Sequence, residues 1–291
     1  MRSWLLAFRP KTLTAAVVPV VVATALAYAD HQSVKYWLAA FALLSATFIQ
    51  IGTNFINDAL DFKKGADTHE RVGPKRVTQS GLLSEKKVLL GGFVCFALAA
   101  AFGLPLVLEG GVPILLVGLI SLAMGYCYTG GPYPLAYRGL GDLFVLIFFG
   151  LVAVCGTYYL HSGVVSNTAF IAGLQVGLHA TVLIAINNLR DAPLDAKVNK
   201  RTLAVRLGPK AARVEIALLV VLPFLLNIFW LLNGFILPAL ITLISIPLGV
   251  IVIKGVYRNE GGVIFNQFLA KSAALHLLFG ILLSVGLVLS Y

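Results

Sequence analysis

Charge is what this sequence has least of. Only 12% of its 291 residues are charged, and Asp and Glu together number twelve. Soluble domains carry roughly a quarter charged residues, so a water-soluble globular chain is excluded. Cysteine is nearly absent as well. Cys95, Cys127 and Cys155 each lie inside an apolar run, which leaves neither a disulfide framework nor a thiolate metal site; they read as small core residues. What fills the space is apolar: 59% of residues are hydrophobic, and the mean hydropathy is +0.92. The composition is that of an integral membrane protein, read as one domain over residues 1–291.

Runs long enough to cross about 30 Å of hydrocarbon as helices are expected near 13–29, 36–57, 88–108, 113–129, 141–160, 168–189, 213–233, 235–253 and 271–290. The fold class is therefore an all-α bundle of nine transmembrane helices. The stretch 13–29 follows Arg2, Arg9 and Lys11 and superficially resembles a signal peptide. Its length and the many spans after it favour a retained first helix. The division between 213–233 and 235–253 rests on Asn233, Gly234 and Pro238.

Basic residues choose the orientation. With the N-terminus in the cytoplasm, 21 of the 22 Lys and Arg residues fall on the cytoplasmic side, and only Lys35 falls opposite. The positive-inside rule then puts the N-terminus in and the C-terminus out. The formal net charge of +10 belongs to loops of a membrane protein rather than to a groove-binding face, so no nucleic acid is expected. Seven basic residues in each of the segments 58–87 and 190–213 exceed what topology needs. They suggest an anionic ligand or lipid surface.

Both segments begin on a polar stripe. Gln50, Asn54, Asn57 and Asp61 are spaced by four, three and four residues, so they share one helix face. Gln175, His179, Asn187, Asp191 and Asp195 lie in register at multiples of four. Pro193 is expected to end or kink the second helix before Asp195, and Gly65 to let Asp67 fold back toward Asp61. Basic residues follow each cluster: Arg71, Lys75 and Arg76 in one loop, Lys197, Lys200, Arg201 and Arg206 in the other. Gln50 and Gln175 read as hydrogen-bonding contacts between helices. His179 alone reads as an interior histidine, but its stripe keeps it a candidate for a cavity. Two matched arrays of carboxylate and amide oxygens suit a hard divalent cation such as Mg²⁺, which bridges readily to phosphates. A secondary transporter would place its charges nearer the bilayer midplane on broken helices; here they cluster at one membrane face.

These residues resemble the UbiA superfamily of intramembrane aromatic prenyltransferases. The matches are "NDALDFKKGAD", with Asn57, Asp61 and Asp67, and "NNLRDAPLD", with Asn187, Asp191 and Asp195. Within it, "RPKTLTAAVVPV" and "NNLRDAPLDAKVNKRTLAVRLG" look most like the branch that prenylates 1,4-dihydroxy-2-naphthoate in menaquinone biosynthesis. The first motif, NDxxDxxxxxD, is two residues longer before Asp67 than is usual in relatives that act on 4-hydroxybenzoate. Those relatives also carry a lysine four residues after the tyrosine of "YPLAYRG", where this chain has Tyr137 after Tyr133, followed by Arg138.

The resemblance implies Mg²⁺ held by Asp61, Asp67, Asp191 and Asp195, with Asn57 and Asn187 as neutral ligands. Arg71, Lys75, Arg76, Lys200 and Arg201 would clamp the diphosphate of a polyprenyl diphosphate. Asp58, Asn54, His179, Tyr133 and Arg138 would support the ligands or line the cavity. Phe144, Tyr126, Tyr128 and Tyr133 are candidates to face an allylic carbocation. The expected reaction is polyprenyl transfer to 1,4-dihydroxy-2-naphthoate with decarboxylation, giving a demethylmenaquinone and pyrophosphate. Other phenolic acceptors, 4-hydroxybenzoate first, and haem farnesylation more distantly, are the alternatives. The expected location is the bacterial cytoplasmic membrane, with lipid around the chain and the site open to the cytoplasm.

Overall fold

The structure is a computed structural model, and it describes residues 2–290, the side chain of Arg2 excepted. Among the described residues all regular structure is helical. A short helix α1 (Arg2–Phe8) leads into eight helices long and apolar enough to cross a membrane. These are α2 (Thr14–His31), α3 (Tyr36–Lys63), α4 (Glu85–Cys127), α5 (Gly141–Ser162), α6 (Asn167–Lys197), α7 (Leu203–Leu232), α8 (Ile236–Arg258) and α9 (Phe265–Leu289). A helix satisfies its own backbone polar groups, which hydrocarbon cannot do, and apolar runs of this length have little alternative.

The α4 segment holds 43 residues, about 64 Å of helix at 1.5 Å per residue and twice the hydrocarbon thickness. It breaks at Gly111, whose φ of 66° and ψ of −153° lie outside the helical region. The stretches expected at 88–108 and 113–129 are its two arms. The division expected after 233 is present, with Gly234 at φ 84° between α7 and α8.

Helices α3, α6 and α9 run further toward the loops than hydropathy indicates. At 28 residues, α3 is about 42 Å long, more than about 30 Å of hydrocarbon requires, and its last two turns carry Asn57, Asp58 and Asp61 of the first motif.

Helix α6 sits at the centre, with most of its length buried. Val182, Leu183, Ile186 and Leu189 of α6 pack with Ile216 and Val220 of α7 and with Phe265, Leu269 and Leu275 of α9. A second cluster joins Val22 and Leu26 of α2 to Val176 of α6 and Phe279 and Leu283 of α9. Helices α5 and α6 approach closely backbone to backbone. A Cβ on Gly150 would stand 2.5 Å from Gly173 O and 2.6 Å from Gly177 Cα; small residues are what let two helices touch in lipid. Gly150 lies in a π-helical stretch of α5, Leu146–Val152.

Candidate functional site

The first array begins on the last two turns of α3. Asn57 Oδ1 accepts a hydrogen bond from Thr129 Oγ1 at 2.5 Å. Asp61 Oδ1 accepts one from the Tyr137 hydroxyl at 2.9 Å. Asp58, 1% exposed, accepts from the backbone N–H groups of Val77 and Thr78 at 3.2 and 3.0 Å, so it fastens the following loop to the helix. Gly65, at φ 73° with open space around it, makes the expected turn: Ala66 N donates to Asp61 O at 2.8 Å. The turn buries Asp67. Arg76 then spans the pair, 3.2 Å from Asp67 Oδ2 and 3.9 Å from Asp61 Oδ2.

The second array corrects one expectation. Helix α6 continues through Pro193 to Lys197, so Asp191 and Asp195 stay one turn apart on one face. Exposed Pro193 turns away from the packed side, and the helix end is held beyond it, where Lys200 N donates to Asp195 O at 2.9 Å. Arg190 grips both oxygens of Asp191, with Nε to Oδ1 at 2.8 Å and Nη2 to Oδ2 at 2.7 Å. Arg190 Nη2 also donates to Asn187 Oδ1 at 2.6 Å.

Basic side chains from the two loops join the arrays. Lys200 Nζ lies 3.7 Å from Asp61 Oδ2 and 3.6 Å from Asp195 Oδ1. Arg71 lies 2.5 Å from Asp67 Oδ1 and 3.8 Å from Asp191 Oδ2. Four buried aspartates from distant parts of the chain thus belong to one ion-pair network. Burial opposes the charge on Lys200, but Asp61 and Asp195 outweigh it and raise the ammonium pKa. At Asp67 burial wins, lifting the carboxyl to about 6 against the pull of Arg71.

The network leaves cationic groups unsatisfied. Arg9 Nη2, Arg71 Nε, and Arg76 Nε and Nη1 are buried without a hydrogen-bond partner; Arg76 Nε is close to Asp67 but misaligned for a hydrogen bond. Each such group costs about 1–3 kcal/mol unless something else accepts from it. Three guanidinium groups with free N–H directions, facing one cluster, fit an anion with many oxygens.

The same donor set bears on a metal ion. Among the described residues, no three carboxylate, His or Cys groups are drawn together closely enough to enclose an ion, because basic side chains stand between the carboxylates. The donors are all hard oxygens, however, and Asp67 Oδ2 is buried without a hydrogen bond. That chemistry fits Mg²⁺ shared with a phosphate ligand.

Beneath the site is an apolar cavity of about 370 Å³. Its wall includes Thr53, one turn below Asn57, and continues past Ala46, Gly103 and Gly156 to Leu160. Phe144 and Phe148 line it, stacked with centroids 4.5 Å apart. Tyr128 lies 5.3 Å from Phe144.

Of the expected residues, the four aspartates, Asn57, Asn187, Arg71, Arg76 and Lys200 come together. Lys75 is exposed, and exposed Arg201 donates to Asn199 Oδ1. Arg138 stacks over exposed Tyr133 at 4.6 Å, and Tyr126 pairs with Phe93. His179 is fully buried between Phe224 and Phe279, in the core rather than the cluster. Asn54 donates to Phe8 O and Thr12 Oγ1 at 3.1 and 3.3 Å, which ties the segment bearing Arg9 to α3.

Arg9, Thr129, Tyr137 and Arg190 were not singled out for the site by the sequence. Tyr137 had one signal, its place where relatives carry lysine. Arg9 sits in "FRPKT" like an ordinary topology-setting cation, and only its burial beside Asp58, Arg71 and Asp67 reveals it.

Residues 16–288 match the UbiA prenyltransferase family. The chain is 40% identical to 1,4-dihydroxy-2-naphthoate octaprenyltransferase of Mycobacterium tuberculosis, over 72% of each chain. It is 32% identical to the Bacillus subtilis enzyme of the same name, over 97% of this chain and 91% of that one. Among solved structures, a UbiA homolog from Archaeoglobus fulgidus bound to DMAPP and Mg²⁺ has the same fold, with a TM-score of 0.64 and 17% identity over 97% of this chain and 99% of that one.

Proposed function

Because the chain belongs to the UbiA prenyltransferase family, we propose that it transfers a polyprenyl group from polyprenyl diphosphate to 1,4-dihydroxy-2-naphthoate. The carboxylate leaves as carbon dioxide, and the products are a demethylmenaquinol, the reduced form of a demethylmenaquinone, and pyrophosphate. The observation that carries this reading is the set of buried guanidinium nitrogens on Arg9, Arg71 and Arg76 that lack a hydrogen-bond partner, set above an apolar cavity. One end of the ligand must be a polyanion and the other a hydrocarbon. The relatives named above supply the acceptor and the metal.

Asp61, Asp67, Asp191 and Asp195 would hold Mg²⁺, with Asn57 as a neutral ligand. Asn187 Oδ1 already accepts from Arg190 and keeps a lone pair for the same purpose. Bound Mg²⁺ supplies Lewis-acid stabilisation of the departing pyrophosphate. Arg9, Arg71, Arg76 and Lys200 neutralise its remaining charge; these pre-placed cations are worth most where water is excluded. Lys75 and Arg201 contribute at the rim.

As the C–O bond breaks, positive charge develops on the allylic carbon. Phe144 and Tyr128 offer aromatic faces to that charge, and the apolar walls keep out the water that would trap it. The ring carbon bearing the carboxylate forms the new C–C bond. Loss of carbon dioxide then returns the bonding pair to the ring. About 370 Å³ is too little for a long polyprenyl chain, so the tail continues into lipid.

Reading α4 as two spans gives nine, with the N-terminus cytoplasmic, the C-terminus outside and one domain over 1–291. The basic loops support a site at the cytoplasmic face of the bacterial cytoplasmic membrane. The test is an acceptor panel with one polyprenyl diphosphate and Mg²⁺, with products identified by mass. Prenylated naphthoquinol lacking the carboxylate is the expected product; product formed with 4-hydroxybenzoate alone would replace the acceptor assignment.

A further inference from the structure

Two polar residues at the site have no part in that scheme, Arg190 and Asn266. Arg190 is 3% exposed, and its bidentate grip fixes the plane of the Asp191 carboxylate. Each carboxylate oxygen has a second lone pair, so the grip leaves Asp191 free to bind an ion while setting its direction. Arg190 is itself held: Nη1 donates to Asn266 Oδ1 at 2.7 Å. Asn266, in the first turn of α9, donates through Nδ2 to the Val72 carbonyl at 3.1 Å.

Val72 follows Arg71, the residue that reaches both Asp67 and Asp191. The next residue, Gly73, passes so close that a Cβ there would lie 2.6 Å from Arg190 Nη2 and 2.8 Å from Arg71 Nη2. The first-motif loop therefore lies directly on two guanidinium groups, and Asn266 clips it there. One amide links the loop of the first array to the arginine that orients the second.

We propose that Asn266 is a positioning residue that acts through Arg190 and the Val72 carbonyl to set the spacing of the two aspartate arrays for a divalent cation. The inference rests on the prenyltransferase reading. Outer-shell partners of metal ligands are typically worth about 10- to 100-fold in affinity or activity, and a residue one step further out stands at the lower end.

The test uses the full-length protein in detergent, with Mn²⁺ binding measured by electron paramagnetic resonance and Mg²⁺ half-saturation measured by pyrophosphate release. Asn266→Ala should weaken Mn²⁺ binding about tenfold and raise the Mg²⁺ half-saturation in parallel, with the acceptor KM within about twofold. Asn266→Asp keeps an acceptor for Arg190 but gives up the donor to the Val72 carbonyl, so it should recover only part of the Mn²⁺ affinity, and that partial rescue also guards against a poorly folded alanine variant. Adding Asn266→Ala to Arg190→Lys should cost less than about twofold beyond Arg190→Lys alone, because coupled residues are not additive. Mn²⁺ affinity in Asn266→Ala within twofold of wild type overturns the inference, as do multiplicative effects in the double variant. Wild-type protein that neither binds Mn²⁺ nor releases pyrophosphate removes the prenyltransferase reading and this inference with it. A wild type that does both beside an unaffected Asn266→Ala removes the inference alone.

Discussion

The Tyr137 hydroxyl donates to Asp61 Oδ1 at 2.9 Å, and the same ring carries two ammonium groups, Lys64 Nζ at 4.5 Å and Lys200 Nζ at 5.5 Å from its centroid. A residue of the short loop between α4 and α5 thereby orients a carboxylate of the first array and supports the lysine that reaches the second. Tyr137→Phe removes the hydroxyl and keeps the ring. A hydrogen bond to a charged group is worth about 1.5–3 kcal/mol, so the Mg²⁺ half-saturation should rise about tenfold while the protein stays folded. Tyr137→Ala should in addition raise the KM for polyprenyl diphosphate. Equal Mg²⁺ titrations for Tyr137→Phe and wild type would show that Asp61 needs no such support.

The aspartates themselves should be less forgiving. Asp61→Asn and Asp191→Asn each remove a charge that a metal ion needs and weaken the ion pairs of half-buried Lys200 and of buried Arg190. We expect pyrophosphate release to fall by about 100-fold or more, the scale set by losing one preorganised transition-state contact. Chelation of the wild type should do the same and be reversed by added Mg²⁺. Activity that survives both exhaustive chelation and Asp191→Asn would remove the metal from the mechanism.

The loop fastening at Asp58 makes a different prediction. Its carboxylate accepts from two buried backbone N–H groups, at the base of the segment that carries Arg71 and Arg76. Asp58→Ala leaves those groups unpaired and should cost about 1–3 kcal/mol of stability. The KM for polyprenyl diphosphate should rise while the Mg²⁺ requirement changes less. Thermal unfolding in detergent and steady-state kinetics separate this from loss of a ligand, which would hit the Mg²⁺ titration first.

How much was legible in advance follows from what each residue does. The spans were legible because hydrocarbon imposes an apolar run on each one. The paired arrays were legible because Asn57 and Asp61, like Asn187 and Asp191, repeat at helical spacing. Helix ends were not: α3 was expected to stop at 57 and α9 to begin at 271, yet they extend to Lys63 and back to Phe265. Polar residues there stay helical because tertiary partners hold them, Asp58 by the loop and Asn266 by Arg190. Hydropathy sees only the polarity. Pro193 misled for a related reason, since a proline rule cannot know that Asp195 is anchored beyond it. Arg9 was hidden because a cation that sets topology and one that faces an anion look alike until burial distinguishes them.

The cavity offers a test independent of charge. Gly103 lies on its wall, and a Cβ there would meet only Ser45 Oγ at 3.6 Å, an ordinary contact. Gly103→Ala should therefore be tolerated, whereas Gly103→Leu projects a branched side chain into the space assigned to the prenyl tail. The site at the end of α3 is left alone. Turnover of dimethylallyl diphosphate, which needs little of the cavity, should stay within about threefold of wild type, while the KM for a long polyprenyl diphosphate rises tenfold or more; roughly 1–3 kcal/mol for overpacking a well-filled space sets that scale. If short and long substrates suffer equally, the tail does not run past Gly103, and the apolar cavity has another occupant.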